Sequence, residues 1–194
     1  MTGWILLGGL TLFFVWVIVT YNSLISLRNN VQNAWKQIDV QLKRRHDLIP
    51  NLVSSVRGAM EFEQDTLEKV ISARTRAVSS VGTREKAGAE NLLTETLGKL
   101  FAVMENYPDL KSNANIMQLQ EELTSTENKI GFSRQLYNDL VANYRTRQEV
   151  FPDAIIVSLF RGFPKEEYFE ASPVDRAVPI VDASIRKNHT CRVE

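Results

Sequence analysis

The chain has 194 residues, enough for one domain with a real core plus an appendage. Lysine plus arginine, 23, equals aspartate plus glutamate, 23, so there is neither a basic field to gather nucleic acid nor an acidic one to gather basic partners. A single cysteine, Cys191, excludes an internal disulfide framework and a multi-cysteine zinc site.

The first element is an apolar run with no charged side chain before Arg28. From Trp4 to Ile25 a helix covers roughly 33 Å, against about 30 Å of hydrocarbon in a bilayer. Trp4, Leu6, Leu10, Phe13, Phe14, Trp16 and Ile18 are its candidate lipid contacts. No basic segment precedes the run and no small-x-small site follows Thr20, so residues 1–27 read as a retained transmembrane anchor rather than a cleaved leader. Arg28 and Lys36 follow the span closely, and the positive-inside bias then places the C-terminal part in the cytoplasm.

Beyond the anchor, apolar residues recur at Val31, Trp35, Ile38, Leu42, Ile49, Val53, Val56 and Met60, with Arg45 at the one missing step. The step is about 3.6 residues, the period of a straight helix with one apolar stripe. The anchor is therefore expected to run into a first soluble helix ending near residue 60, with Gly58 and Glu61–Asp65 as the place of reversal. Pro50 interrupts this rhythm, removing the amide that the His46 carbonyl would accept from, so a kink is expected at Pro50 and His46. A second helix follows through Leu67, Val70, Ile71, Arg74 and Val78, and Gly82 closes it, with Thr83 offered as the next N-cap. A third places Leu92, Leu93, Leu97, Leu100, Phe101 and Met104 on one face and stops around Pro108. The fourth carries Ile116, Leu119, Leu123, Ile130, Tyr137, Leu140, Tyr144 and Phe151, ending before Pro152. A short helix with Ile155, Ile156, Leu159 and Phe160 on one face comes next, and residues 172–194, with two prolines and no period, read as an extended or disordered tail.

Two long helices enclosing two shorter ones predict an all-α fold, an up-and-down antiparallel four-helix bundle over residues 28–151 with a two-helix stem returning to the membrane. Equal rise along the long pair sets Trp35 level with Val141 and brings Asp39 near Arg134 or Arg145. Residues 152–171 form a short amphipathic segment that arrives at the bilayer.

The stretches RRHDLIPNLV (Arg44 to Val53), NYPDLKSN (Asn106 to Asn113) and Gln118 to Arg147 together resemble the LemA family of bacterial membrane-anchored proteins, from the anchor to about Ala171. The resemblance implies a four-helix bundle of bromodomain-like topology behind a transmembrane helix in the bacterial inner membrane. It implies no enzymatic activity, and fold alone transfers no function.

The reactive inventory agrees. His46, His189 and Cys191 do not make a zinc set, no Glu-x-x-His pair is available for a di-iron centre, and phosphate-binding and nucleophile-elbow motifs are missing, so no enzyme, metal or cofactor is expected. Lys43, Arg44, Arg45 and His46 read first as a solvated helix face, with Arg44 and Arg45 as candidate docking residues for an acidic partner. Thr126, Glu127 and Asn128 are expected to satisfy one another or the carbonyl freed by Pro50. Ile155, Ile156, Leu159 and Phe160 are candidates for contact with lipid, a partner or the stem. The function these features support is a single-pass membrane scaffold or adaptor that binds an unidentified protein partner or associates with itself, without nucleic acid. A membrane-shaping or lipid-organising protein acting by lateral self-assembly is the alternative, and an unrecognised hydrolase the remote one.

Overall fold

The computed structural model describes residues 2–160 and 162–169. Among them every regular element is helical and no strand occurs: α1 (Thr2–Val56), a 3-10 turn (Glu61–Glu63), α2 (Gln64–Ser79), α3 (Thr83–Met104), α4 (Pro108–Lys111), α5 (Ala114–Glu149) and α6 (Asp153–Leu159). The tail expected to be extended, with His189 and Cys191, lies outside the described residues.

α1 is unbroken across Pro50 and ends at Val56, with the reversal at residues 57–63 where Gly58 and the acidic run place it. Its first half includes an 18-residue stretch of mean hydropathy 2.1, none of it buried, and the helix is long and apolar enough to cross a membrane. Its second half is the spine of the body. Val31, Ile38, Leu42, Ile49, Val53 and Val56 are all buried on the stripe that the 3.6-residue rhythm defines, and Met60, in the reversal beyond the helix, is buried too.

Two cores stack along this spine. The one nearer the N-terminal end joins Leu24, Val31, Ile38 and Leu42 of α1 to Ile130, Tyr137, Val141 and Tyr144 of α5, with Ile156, Phe163 and Phe169 closing a third side. The farther one joins Ile49, Leu52, Val53 and Val56 to α2 (Leu67, Val70, Ala73, Ala77), α3 (Leu93, Leu97, Leu100, Met104) and α5 (Ile116, Leu123). Leu42 belongs to the first core and Ile49 to the second, so Pro50 stands just past the point where α1 exchanges its neighbours.

Several details differ from the expectation. α2 buries Leu67, Val70, Ala73 and Ala77 and leaves Ile71 and Val78 exposed, because small alanines let α2 approach its neighbours more closely than the larger residues beside them. The N-cap of α3 is Gly82, at a φ of +86°, and Thr83 is already helical; a backbone turn in the left-handed region favours the residue without a Cβ. Asn113 caps α5, its side chain accepting from the Asn115 amide at 3.0 Å. Phe151 lies past the end of α5 and is exposed, and Trp35 meets Tyr137, at 5.4 Å between ring centroids, one turn from the expected Val141. Asp39 pairs with Lys86 at 2.7 Å, where the start of α3 reaches down beside it.

Candidate functional site

Where α1 passes Pro50, the basic run does not lie on a solvated face. Lys43 and Arg44 are exposed, and Arg44 reaches Glu122 at 3.6 Å, but Arg45 and His46 are buried. The physical reason is register: Arg45 fills the missing step of the apolar stripe, so it must enter the core. Burial pulls its guanidinium below the ordinary arginine value, and the carboxylates of Glu127 and Glu90 oppose that shift.

The compensation is a polar cluster spanning α1, α3 and α5. Arg45 Nη1 lies 2.8 Å from Glu127 Oε2 and 3.4 Å from Glu90 Oε2, and Arg45 Nη2 donates to Thr94 Oγ1 at 2.8 Å. His46 Nε2 is 2.7 Å from Glu90 Oε1, and Glu90 is fully buried. Such a set holds three helices in one register, since Arg45 and Glu90 are withdrawn from water and are compensated only by the other members of the cluster. It brings together Arg45, His46 and Glu127 of the residues singled out from sequence, and adds Glu90 and Thr94. The signal for Glu90 was present: it precedes Leu93, Leu97, Leu100 and Met104 at helical spacing and so shares their buried face.

The carbonyl freed by Pro50 is met by Arg74 of α2, whose Nε donates to His46 O at 3.1 Å. Thr126 instead donates to the Glu122 carbonyl of its own helix at 2.7 Å, Glu127 serves Arg45, and Asn128 is exposed. An open cleft of about 200 Å³ runs beside the cluster between α3 and α5, walled by Leu97, Phe101 and Leu123 above Arg45 and Glu127. At the end farthest from the apolar first half of α1 a larger cleft of about 830 Å³ is lined by Arg57, Phe62, Leu67 and Ile71, and Phe62 is 96% exposed. Among the described residues no three His, Cys, Asp or Glu side chains gather as a metal set.

At the other end the chain after α6 returns along the groove between α1 and α5 as an extended strap. Side chains read its main chain: Arg28 donates to Gly162 O at 3.2 Å, Gln148 lies 3.4 Å from Phe163 O, Arg145 donates to Glu166 O at 2.8 Å and Tyr137 to Glu167 O at 2.8 Å. Asn138 makes a paired contact, accepting from Phe169 N at 2.8 Å and donating to Phe169 O at 3.0 Å. Phe169 stacks near Trp35 at 5.9 Å under the Arg134 guanidinium at 4.5 Å. Burial, with Glu166 nearby, raises the Tyr137 phenol above its ordinary value.

Of the candidate lipid contacts, Trp4, Leu6, Leu10, Phe13, Phe14 and Ile18 are exposed and Trp16 is half-buried against the body. On α6, Ile156 is buried while Ile155, Leu159 and Phe160 are exposed, so these four do not form one free face.

A long apolar helix leading into a packed, wholly helical body fits a single-pass membrane protein. The chain belongs to the LemA family, whose profile matches residues 34–182, starting inside α1 and running past Ala171. It is similar to Protein LemA of Metamycoplasma hominis, 25% identical over 169 residues, covering 86% of this chain and 75% of that one. It is also similar to magnetosome protein MamQ 2 of Paramagnetospirillum magneticum, 22% identical with 83% and 68% covered. Magnetosome protein MamQ of Magnetospirillum gryphiswaldense is 21% identical, with 91% and 74% covered.

Proposed function

We propose that the chain is a bilayer-anchored, non-catalytic scaffold whose body, an up-and-down four-helix bundle of bromodomain-like topology on the cytoplasmic side of the bacterial inner membrane, holds protein partners or copies of itself. The observation that carries this reading is the continuity of α1, in which a stretch apolar enough to cross a membrane and the core spine are one helix. From Leu24 to Val56 it rises about 48 Å, so whatever docks at the far end is held at a set height and orientation. Phe62 and the cleft around Arg57 and Leu67 are the surface offered there. A photo-crosslinking amino acid at Phe62, in full-length protein in native membranes, is expected to yield one dominant adduct, to a second copy or to one other protein. Only unmodified monomer, with the same probe efficient at an internal contact such as Leu67, overturns the reading.

The exposed apolar face of α6, together with relatives named as magnetosome proteins, supports the second reading of a membrane-organising protein that acts by lateral self-assembly. Its signature is clustering of the labelled protein in supported bilayers, with fluorescence transfer between copies that rises faster than random mixing allows.

A further inference from the structure

The position of α6 along α1 sets its depth. Its inner side packs on the span: Ile156, Val157 and Phe163 share a core with Trp16, Val17, Tyr21 and Leu24. The Tyr21 ring lies 5.2 Å from Phe160 and 5.6 Å from Phe163. These α1 residues precede Arg28, the first charge in the chain, so Tyr21 is about 10 Å and Trp16 about 18 Å to the bilayer side of it. The outer side of α6 carries Ile155 and Leu159, one turn apart and 53% and 72% exposed, and Phe151, just before the helix begins, is 78% exposed.

The polar side chains of α6 itself are satisfied within the protein, as a lipid environment demands, and the exposed Ser158 hydroxyl donates to Ile155 O at 2.7 Å. Asp153 is the only charge on α6, and its carboxylate is buried against Arg147 Nε at 2.9 Å. The carbonyls just past its end are met by protein donors, Gly162 O by Arg28 and Phe163 O and Pro164 O by Gln148. We propose that α6 is a second membrane element, lying in the headgroup and upper acyl region of the leaflet next to the body with Ile155 and Leu159 in lipid. The proposal rests on the reading of α1 as a span. It places extra helix volume in one leaflet only, which is the chemistry a membrane-organising role needs.

The test uses full-length protein in liposomes with Cys191→Ser and single spin labels at Ile155→Cys, Leu159→Cys, Leu10→Cys and Phe62→Cys. Accessibility to lipid-soluble oxygen relative to an aqueous nickel chelate is expected to be highest at position 10, several-fold above position 62 at 155 and 159, and lowest at 62. Aqueous exposure at 155 and 159 with position 10 in lipid overturns the proposal and leaves the span standing. Aqueous exposure at position 10 overturns the span reading and the proposal with it. Shielding of 155 and 159 from both reagents, with spin broadening relieved by unlabelled protein, assigns the face to a second copy and also overturns it. Shielding from both without that broadening assigns the face to another part of the chain, and the proposal falls in that case too.

Discussion

Arg45 shows how a single charge can be made structural. Its side chain has almost no access to water, and desolvation of that kind costs several kcal/mol unless carboxylates stand close. Glu90 and Glu127 do, and His46 and Thr94 complete the set. Replacing Glu90→Ala should therefore destabilise the protein by about 3 kcal/mol, the low end for a broken buried pair because Glu127 remains. Arg45→Met combined with Glu90→Leu should recover part of that loss, since the apolar pair needs no partner and only His46 and the part-exposed Glu127 are left without theirs. Urea unfolding of the detergent-solubilised protein decides it, and equal losses in the single and the double variant would refute the account. Tyr137 gives a second residue-scale test. Its phenol binds its proton more tightly folded than unfolded, so its contribution to stability is present below about pH 10 and is lost as pH rises through the folded value. Tyr137→Phe should flatten the decline in stability above pH 10, at a constant cost of about 1 kcal/mol below it for the lost bond to Glu167 O.

At the scale of elements, the question is how α1 tolerates a proline in its interior. The helix loses the amide at residue 50, and α2 supplies the replacement donor through Arg74. Arg74→Met should cost about 1–2 kcal/mol by stranding the His46 carbonyl. In a Pro50→Ala background the same substitution should cost clearly less, because the backbone amide regained at position 50 can donate to that carbonyl. Thermal unfolding of the four proteins in the cycle measures this coupling, and a value of zero would mean Arg74 acts elsewhere. The helices themselves were legible because each carries a 3.6-residue stripe and ends at Gly58, Gly82, Pro108 or Pro152. Which residues face inward was less so: α2 turns its alanines in, and apolar size gave no hint of that. Arg45 and Glu90 each sat on a stripe, yet a charge run also fits a solvated face, and only the meeting of α1 with α3 distinguishes the two readings. The one-turn offset between Trp35 and Val141 has the same origin, since spacing within a helix says nothing about axial shift between helices.

For the whole molecule, the strap and α6 make the near part of the body depend on the apolar first half of α1. Sequence periodicity left this out because residues 162–169 have no helical rhythm and are held mainly through their backbone, by Arg28, Tyr137, Asn138, Arg145 and Gln148. The near core includes Leu24, fully buried, with Tyr21 and Trp16 beside it, whereas the far core begins at Ile49. A chain cut to begin at Arg28 therefore loses contacts in one core only. Leu24 alone accounts for about 1.5–3 kcal/mol of burial, and Arg147 loses its 3.5 Å contact with Ser23. The expected result is a fragment whose far half keeps its cooperative unfolding while the α5 end, α6 and the strap open locally. Hydrogen exchange read by mass spectrometry should show faster exchange over residues 141–169 and native protection over residues 49–123. Uniform protection along the fragment would show that the body is independent of residues 1–27, and uniform loss would show that the two cores fold as one.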